Sequence, residues 1–325
     1  MKNFALTGLA GYIAPRHLKA IRDTGNRLVA AVDPHDSVGI IDHYFPEAGF
    51  FTQYERFERH LEKLRRRNTD EQVDVVSICS PNNLHDSHIR TALRAGADAL
   101  CEKPLVLNPW NLDVLEEIEQ EHQNNIYTVL QLRVHPALMK VKEQLRQSAA
   151  DHKHEVDLSY ITSRGLWYHF SWKGDIQKSG GITTNIGIHF FDMLIWLFGP
   201  VSECNVHLHN DLRAGGYLEL ENARVRWFLS IDHDDLPEEA LENDQRTFRS
   251  ITIDGDELEF SGGFTDLHTR IYEETLQGNG FRISHARPSI ELVHDIRHTQ
   301  PDQNQGELHP LTFDAITQNK KIKAY

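Results

Sequence analysis

The chain has 325 residues, enough for a large core and for about two domains. Its 34 Lys and Arg face 48 Asp and Glu, and the net charge of −14 argues against a general nucleic-acid or anionic-membrane binder. An anionic ligand would have to meet a local cluster of Arg, Lys and His that defies the overall field.

The first apolar run, Phe4-Ala5-Leu6, reads as a strand. It feeds Gly8-Leu9-Ala10-Gly11-Tyr12-Ile13-Ala14, then a helix near Pro15–Thr24 and a second strand, Leu28–Val32, that ends in Asp33. This is a strand–turn–helix–strand unit for a dinucleotide. Gly8 and Gly11 let the backbone approach a pyrophosphate, and the turn continues through Tyr12 and Ile13 into the helix N-terminus that receives its charge. Asp33 is placed to accept from the ribose hydroxyls and to repel a 2′-phosphate, which favours NAD over NADP. The spacing G-x-x-G-x-x-A departs from the usual G-x-G-x-x-G.

Val73–Cys79 is a near-continuous apolar run, as in a strand buried on both faces. A helix over His85–Arg94, a strand over Asp98–Cys101, a helix over Trp110–Gln123 and a strand over Ile126–Leu132 follow. Strands separated by helices predict an α/β fold with a doubly wound parallel sheet over residues 1–130. Residues 131–325 read as an α+β substrate-binding and oligomerisation domain with an open, mainly antiparallel sheet. Its strand candidates are Glu155–Ser163, Ser202–Asn210, Gly216–Glu221, Arg224–His233 and Arg249–Asp254, with helices near Thr183–Phe198 and Ser289–His298. Leu236–Asp244 is acidic and reads as a solvated loop, and Arg164–Lys178 as a poorly periodic substrate loop.

Three widely spaced cysteines, Cys79, Cys101 and Cys204, fit no metal pattern and suggest reduced thiols in a cytoplasmic protein. The 20 histidines are scattered, and no metal is expected. No apolar run approaches the roughly 18 residues of a membrane span, so no membrane insertion is expected. Because the N-terminus enters a strand at once, no secretory signal is expected either.

Two elements carry chemistry. Glu102-Lys103-Pro104 follows the strand at Asp98–Cys101, and ligands of such sheets bind at the carboxyl ends of the strands. Lys103 would therefore point into the cofactor crevice, with Pro104 restraining it. The second element is Gly180-Gly181 followed by Asn185, His189 and Asp192, whose i, i+4, i+7 spacing puts all three on one helix face. The paired glycines would let this helix start close against another surface, such as a bound substrate.

With these residues in place, the chain resembles the Gfo/Idh/MocA oxidoreductase family. The resemblance rests on the Gly8–Ala14 turn with His17, Ser80-Pro81-Asn82-Asn83-Leu84-His85, Glu102-Lys103-Pro104 and Gly180-Gly181 through His189 and Asp192. It implies a nicotinamide cofactor, sugar-like substrates and a homo-oligomer packed through the open sheet, with a tetramer favoured. By family position, Ser80, Asn82, His85, Glu102 and Gln131 join Lys103 near the cofactor, where the ring of Trp172 is also expected to offer a face to the nicotinamide. Two features depart from many members: the turn has one extra residue, and Asn185 stands where Asp is common.

Both departures, with Gly11 through His17, are similar to the branch that oxidises UDP-N-acetylglucosaminuronic acid at C3 to a 3-keto sugar. That resemblance implies synthesis of diacetamido-uronic acid for O-antigen, and NAD that stays bound and is re-oxidised by 2-oxoglutarate. Another sugar, an inositol or a different nucleotide sugar is the alternative substrate, and a non-catalytic NAD-binding sensor is an alternative of another class.

Oxidising a secondary alcohol needs a base for its proton and a positioned nicotinamide for its hydride. Lys103 is the candidate base, since like charge from the oxidised ring and desolvation both favour its neutral amine. His189, with an unperturbed pKa near neutrality, is the rival base or orienting partner. Arg133, His135, Arg164, Lys173 and Lys178 are the cations available to a uronate and pyrophosphate. Trp167, Tyr168 and Trp172 offer ring faces, and Asn185 completes the expected substrate contacts.

Overall fold

The computed structural model describes residues 1–67, 70–147, 152–258 and 266–322, with side chains in the final helix described as far as 317. Two compact units emerge. The first runs from Met1 to Val134 and is rejoined by a later segment ending at Ile290; the second takes up the chain from His135 and again from Glu291. The boundary expected at 130/131 thus lies four residues later, and the first unit is discontinuous in sequence.

The first unit begins with strand β1 (Asn3–Thr7), helix α1 (Ala14–Asp23) and strand β2 (Arg27–Val32). Then come β3 (Gly49–Phe51), α2 (Tyr54–Arg67), β4 (Val75–Ile78), α3 (His85–Arg94), β5 (Asp98–Cys101), α4 (Pro109–His122) and β6 (Ile126–Thr128). All strand pairs are parallel, in the order β3-β2-β1-β4-β5-β6. Every residue of β1 and β4 is buried, as helices on both faces of a parallel sheet require. The order reverses between β1 and β4, so the crevice opens beyond their carboxyl ends, where Gly8 and Ser80 lie. The last strand is shorter than expected. It stops at Thr128, and residues Gln131–Val134 wind into a 3-10 turn.

The second unit contains α5 (Pro136–Gln147), β7 (His154–Thr162), and two short helices, α6 (Leu166–Phe170) and α7 (Ile176–Ser179), in the stretch expected to be irregular. A π-helical turn, Thr183–Gly187, leads into α8 (Ile188–Phe198). Strands β8 (Val201–His209), β9 (Arg213–Leu220) and β10 (Ala223–Ser230) follow, then α9 (Glu238–Glu242), β11 (Thr247–Ile253) and β12 (Asp256–Glu257). The sheet order is β12-β11-β7-β10-β9-β8, antiparallel throughout except for the β7–β10 pair. The acidic stretch expected to be a loop thus holds α9, whose Ala240 is buried against the β-sheet side chains Ile161 and Phe228.

Helix α8 is the core helix of this unit. Phe191 meets Trp227 of β10 edge to face at 5.1 Å, and a Cβ on Gly187 would lie 2.6 Å from Leu229. The stretch Ile176–Phe198 is long and apolar enough to cross a membrane by length and composition, which run-counting along the sequence did not reveal. Since 72% of that apolar window is buried inside the protein, its apolarity is spent on the core. Helix α10 (Leu267–Leu276) returns to the first unit, α11 (Ile283–His298) spans the division, and α12 (Pro310–Ile322) closes the second.

Candidate active site

Gly8 sits at φ +83°, and a Cβ there would lie 2.5 Å from the carbonyl oxygen of Cys79. Only glycine lets β1 turn this closely against the end of β4. The Gly11 N–H donates to the Gly8 carbonyl at 3.0 Å, closing the turn. Helix α1 then starts with no side-chain cap, with Pro15 in its first turn and no acidic residue there. Those features suit an anion at its N-terminus. Tyr12 is exposed and Ile13 half-buried.

Asp33 is buried, and both of its oxygens have protein donors. Oδ2 accepts from Ala10 N and Oδ1 from His35 N, each at 2.9 Å. His35 Nδ1 also lies 3.3 Å from Oδ1, so it is Oδ2 that keeps a further lone pair for a ribose hydroxyl. The carboxylate therefore shapes the turn as well as offering acceptors to a ligand. That second job gives no signal in the local sequence.

The residues after β4 and β5 are more inward-facing than expected. Ser80 Oγ lies 2.9 Å from His88 Nδ1, and His88 stacks on Tyr54. Burial pushes the His88 pKa down to about 3, so its ring is neutral. His85 is fully buried, with Nδ1 2.7 Å from the Pro104 carbonyl and Nε2 2.9 Å from the Ser80 carbonyl. Neither nitrogen is left for the cofactor contact expected of it.

Glu102 is buried too, and its Oε1 accepts from His17 Nε2 and His268 Nε2, both at 2.9 Å. These donors hold its carboxyl well below the usual carboxylate range against the opposing effect of burial. Burial lowers the His17 pKa, leaving its Nδ1 as an acceptor for the Tyr272 hydroxyl at 2.7 Å, and Tyr272 lies 2.6 Å from Ser77 Oγ. Glu102 thus anchors a buried network rather than meeting the cofactor through Oε1. His268, 166 residues downstream of Glu102, and Tyr272, the partner of His17 and Ser77, both come from α10, and sequence reasoning missed them. Among the described residues, two His/Glu/Asp groups have ligand atoms within 4.8 Å of one another: this one, and His152, His154 and Asp254. In the buried group the 2.9 Å spacings are hydrogen-bond distances between satisfied partners.

Lys103 lies between these anchors and is half-buried, with a cis peptide bond to Pro104. Asn82 is buried in a 3-10 turn, and Gln131 is half-buried at the start of another. Arg133 turns toward its own unit, donating to the His285 carbonyl at 3.1 Å, with its guanidinium over Phe281 at 5.6 Å. It is therefore partly committed within the first unit.

In the second unit, Asn185 Nδ2 donates to the Tyr168 hydroxyl at 3.1 Å, joining two expected substrate residues. Lys173 Nζ lies 4.6 Å from the Trp172 ring centre and 5.9 Å from that of Trp167. Burial, then the charge of Arg164, lowers the Lys173 pKa. Arg164 itself is exposed just beyond β7, Lys178 pairs with Asp175 at 3.4 Å, and His135 is buried.

The single helix face expected for Asn185, His189 and Asp192 is not a regular α-helical face. Asn185 falls in the π-turn, which changes its angular spacing to His189, while Asp192 is buried. Asn185 and His189 are half-buried polar residues on a segment whose neighbours are mostly buried. Gly180, at φ +79°, ends α7, so the paired glycines serve the chain's own turn.

Residues 2–130 match the oxidoreductase family NAD-binding Rossmann fold (GFO_IDH_MocA), and residues 152–234 match that family's C-terminal alpha/beta domain. The chain is 54% identical to the WlbA (WbpB) dehydrogenase from Thermus thermophilus in complex with NAD and alpha-ketoglutarate, with a TM-score of 0.92 over 95% of this chain and 99% of that one. The chain belongs to the Gfo/Idh/MocA oxidoreductase family. Against the Thermus thermophilus dehydrogenase in complex with NAD and UDP-GlcNAcA, identity is 53% and the TM-score 0.91 over the same shares of both chains.

Inositol 2-dehydrogenase from Rhizobium meliloti is 29% identical over 61% of this chain and 56% of that protein. The chain spans about half the length of the curated relatives it matches. The family assignment agrees with the resemblance carried by Glu102-Lys103-Pro104 and Gly180-Gly181 through His189.

Proposed function

We propose that the protein oxidises the C3 hydroxyl of UDP-N-acetylglucosaminuronic acid to the 3-keto sugar with NAD. The observation that carries this reading is the 54% identity, over nearly the whole of both chains, to a dehydrogenase solved with NAD and, in a second structure, with UDP-GlcNAcA. The residues present fit the cofactor: Gly8 brings the backbone close, α1 begins uncapped and without acid, and Asp33 retains acceptor capacity.

In this reading Gly8, Gly11, Tyr12 and Ile13 hold the pyrophosphate, Asp33 the ribose, and Asn82, Gln131 and Trp172 line the rest of the cofactor site. The bound nicotinamide supplies a hydride acceptor. Lys103 takes the proton of the substrate hydroxyl, and His189 serves as the second base or orients that hydroxyl. Tyr168 and Asn185 fix the sugar as a hydrogen-bonded pair, and Lys173 and Arg164 meet its anionic groups. The reading extends to a homo-oligomer joined through the open sheet, to a cytoplasmic location in keeping with the free thiols of Cys79, Cys101 and Cys204, and to 2-oxoglutarate as the final oxidant.

The test mixes the purified protein with UDP-N-acetylglucosaminuronic acid and NAD and follows reduced nicotinamide, with and without 2-oxoglutarate. A rise limited to about one equivalent per subunit, with turnover only when the oxoacid is present, is the expected result. Steady release of NADH discards the recycling and keeps the substrate. Silence in both conditions, together with turnover of an uncharged polyol, overturns the substrate assignment.

A further inference from the structure

Lys103 has only two chain neighbours, and both are held from outside their own turn. On one side Glu102 receives His17 from α1 and His268 from α10, each at 2.9 Å. On the other, the Pro104 carbonyl lies 2.7 Å from His85 Nδ1. His85 also reaches the other crevice turn, since its Nε2 is 2.9 Å from the Ser80 carbonyl, one residue before the Pro81 that leads into Asn82. The ring is wholly buried at the first residue of α3, so it bridges the ends of β4 and β5 without solvent.

We propose that His85 is a positioning residue for Lys103, its buried ring lodged between the turn after β4 and the turn after β5 and donating its N–H to one of their carbonyls, so that the amine is held in one place for proton transfer. This inference rests on Lys103 being the group that takes the substrate proton.

The bridge has a chemical peculiarity. Both neighbours of the ring are carbonyl oxygens, and a neutral imidazole carries one N–H, so it satisfies only one of them; the imidazolium satisfies both. The His85 pKa is lowered, by burial above all and also by the charge of Lys103, against the opposing pull of the two carbonyls and of Glu102. His88, a nearby ring on the same helix, is neutral. Charge on His85 and charge on Lys103 therefore oppose each other, and the pH profile of the Lys103 step should register the loss of His85.

The experiment compares His85→Ala, His85→Asn and His85→Gln with Lys103→Ala in the full-length protein. Single-turnover reduction of bound NAD by UDP-N-acetylglucosaminuronic acid is measured across pH, with NAD affinity and unfolding midpoint as controls. An Asn amide nitrogen falls near the place of Nδ1 and a Gln amide nitrogen near that of Nε2, so His85→Asn keeps a donor for Pro104 and His85→Gln one for Ser80.

The expected result is a fall in rate of about tenfold to a hundredfold in His85→Ala, as for an ångström-scale misplacement. It should come with a shifted pH profile, NAD affinity within about threefold, and partial recovery in His85→Asn but not in His85→Gln. If His85→Ala does not fold, the Asn and Gln pair decides by the same ordering. A wild-type rate and pH profile in the His85 variants, with Lys103→Ala inactive, overturns the positioning role. So does a parallel loss of rate, NAD affinity and stability with no difference between Asn and Gln. Full activity in Lys103→Ala overturns the reading of Lys103 itself, whatever the His85 variants do.

Discussion

Lys103 and His189 belong to different units and are held by different physics. The turn that carries Lys103 is braced by buried polar groups, with His17, His85 and His268 arriving from three helices. His189 opens a helix set by apolar packing, where Phe191 meets Trp227 and Gly187 lies against Leu229. Its approach runs through a π-turn, with the Asn185–Tyr168 bond alongside. A polar brace is directional and fails when one partner is removed. Apolar packing is non-directional and fails when a volume changes. The two halves of the proposed chemistry should therefore break under different substitutions.

The largest effect tests whether both side chains serve the chemistry. Lys103→Ala and His189→Ala should each slow reduction of NAD by the substrate about a thousandfold, with NAD affinity nearly unchanged by titration calorimetry. Substantial turnover in both would remove the site from this part of the molecule.

Next in size, Glu102→Ala strands two buried imidazoles and should cost about 3–5 kcal/mol in denaturant unfolding. Gly187→Ala places a Cβ 2.6 Å from a movable Leu229 side chain and should cost about 1–3 kcal/mol. If the Gly187 variant proved the less stable of the two, the contrast between brace and packing would be reversed.

Acid sharpens the comparison further. Burial drives the pKa of His88 in the first unit down to about 3 and that of His309 in the second to about 4, from an ordinary 6.5. Between these values the unfolded chain binds the extra protons. Stability is thus complete above pH 6.5 and falls as pH drops, by up to about 1.4 kcal/mol per unit for each ring. Unfolding midpoints at neutral and mildly acidic pH should show the loss, and His88→Asn should lessen the slope. The smallest effect is expected from Tyr168→Phe, which removes one hydrogen bond to Asn185. It should cost about 1 kcal/mol and show as a raised KM with little change in Rossmann stability.

The first 33 residues, the alternation of strands and helices to residue 128, and Glu102-Lys103-Pro104 were legible because each carries local chemistry: a turn, a buried run, a proline. Helix α2 was missed although Phe57, Leu61 and Leu64 recur at helical spacing, because charged residues fill most of its other positions. The π-turn was invisible, since i, i+4 spacing reads as ordinary helix. Hardest of all were His268 and Tyr272. Their partners, Glu102, His17 and Ser77, lie far upstream, and no local pattern says that α10 folds back to them. The inward turn of Ser80, His85 and Glu102 is a fact of that tertiary network, whereas family position had suggested the ligand.

Asp33 has an evolutionary consequence. The carboxylate that would turn away a 2′-phosphate is also the acceptor for the Ala10 and His35 amides. Exchanging it for a small or basic residue, the shortest mutational route toward NADP, removes an acceptor from each amide at the same stroke. Cofactor choice and backbone shape are inherited here as one trait. A lineage changing its cofactor would first need another group to take those two amides, so its path runs through a compensating mutation before any gain in NADP use.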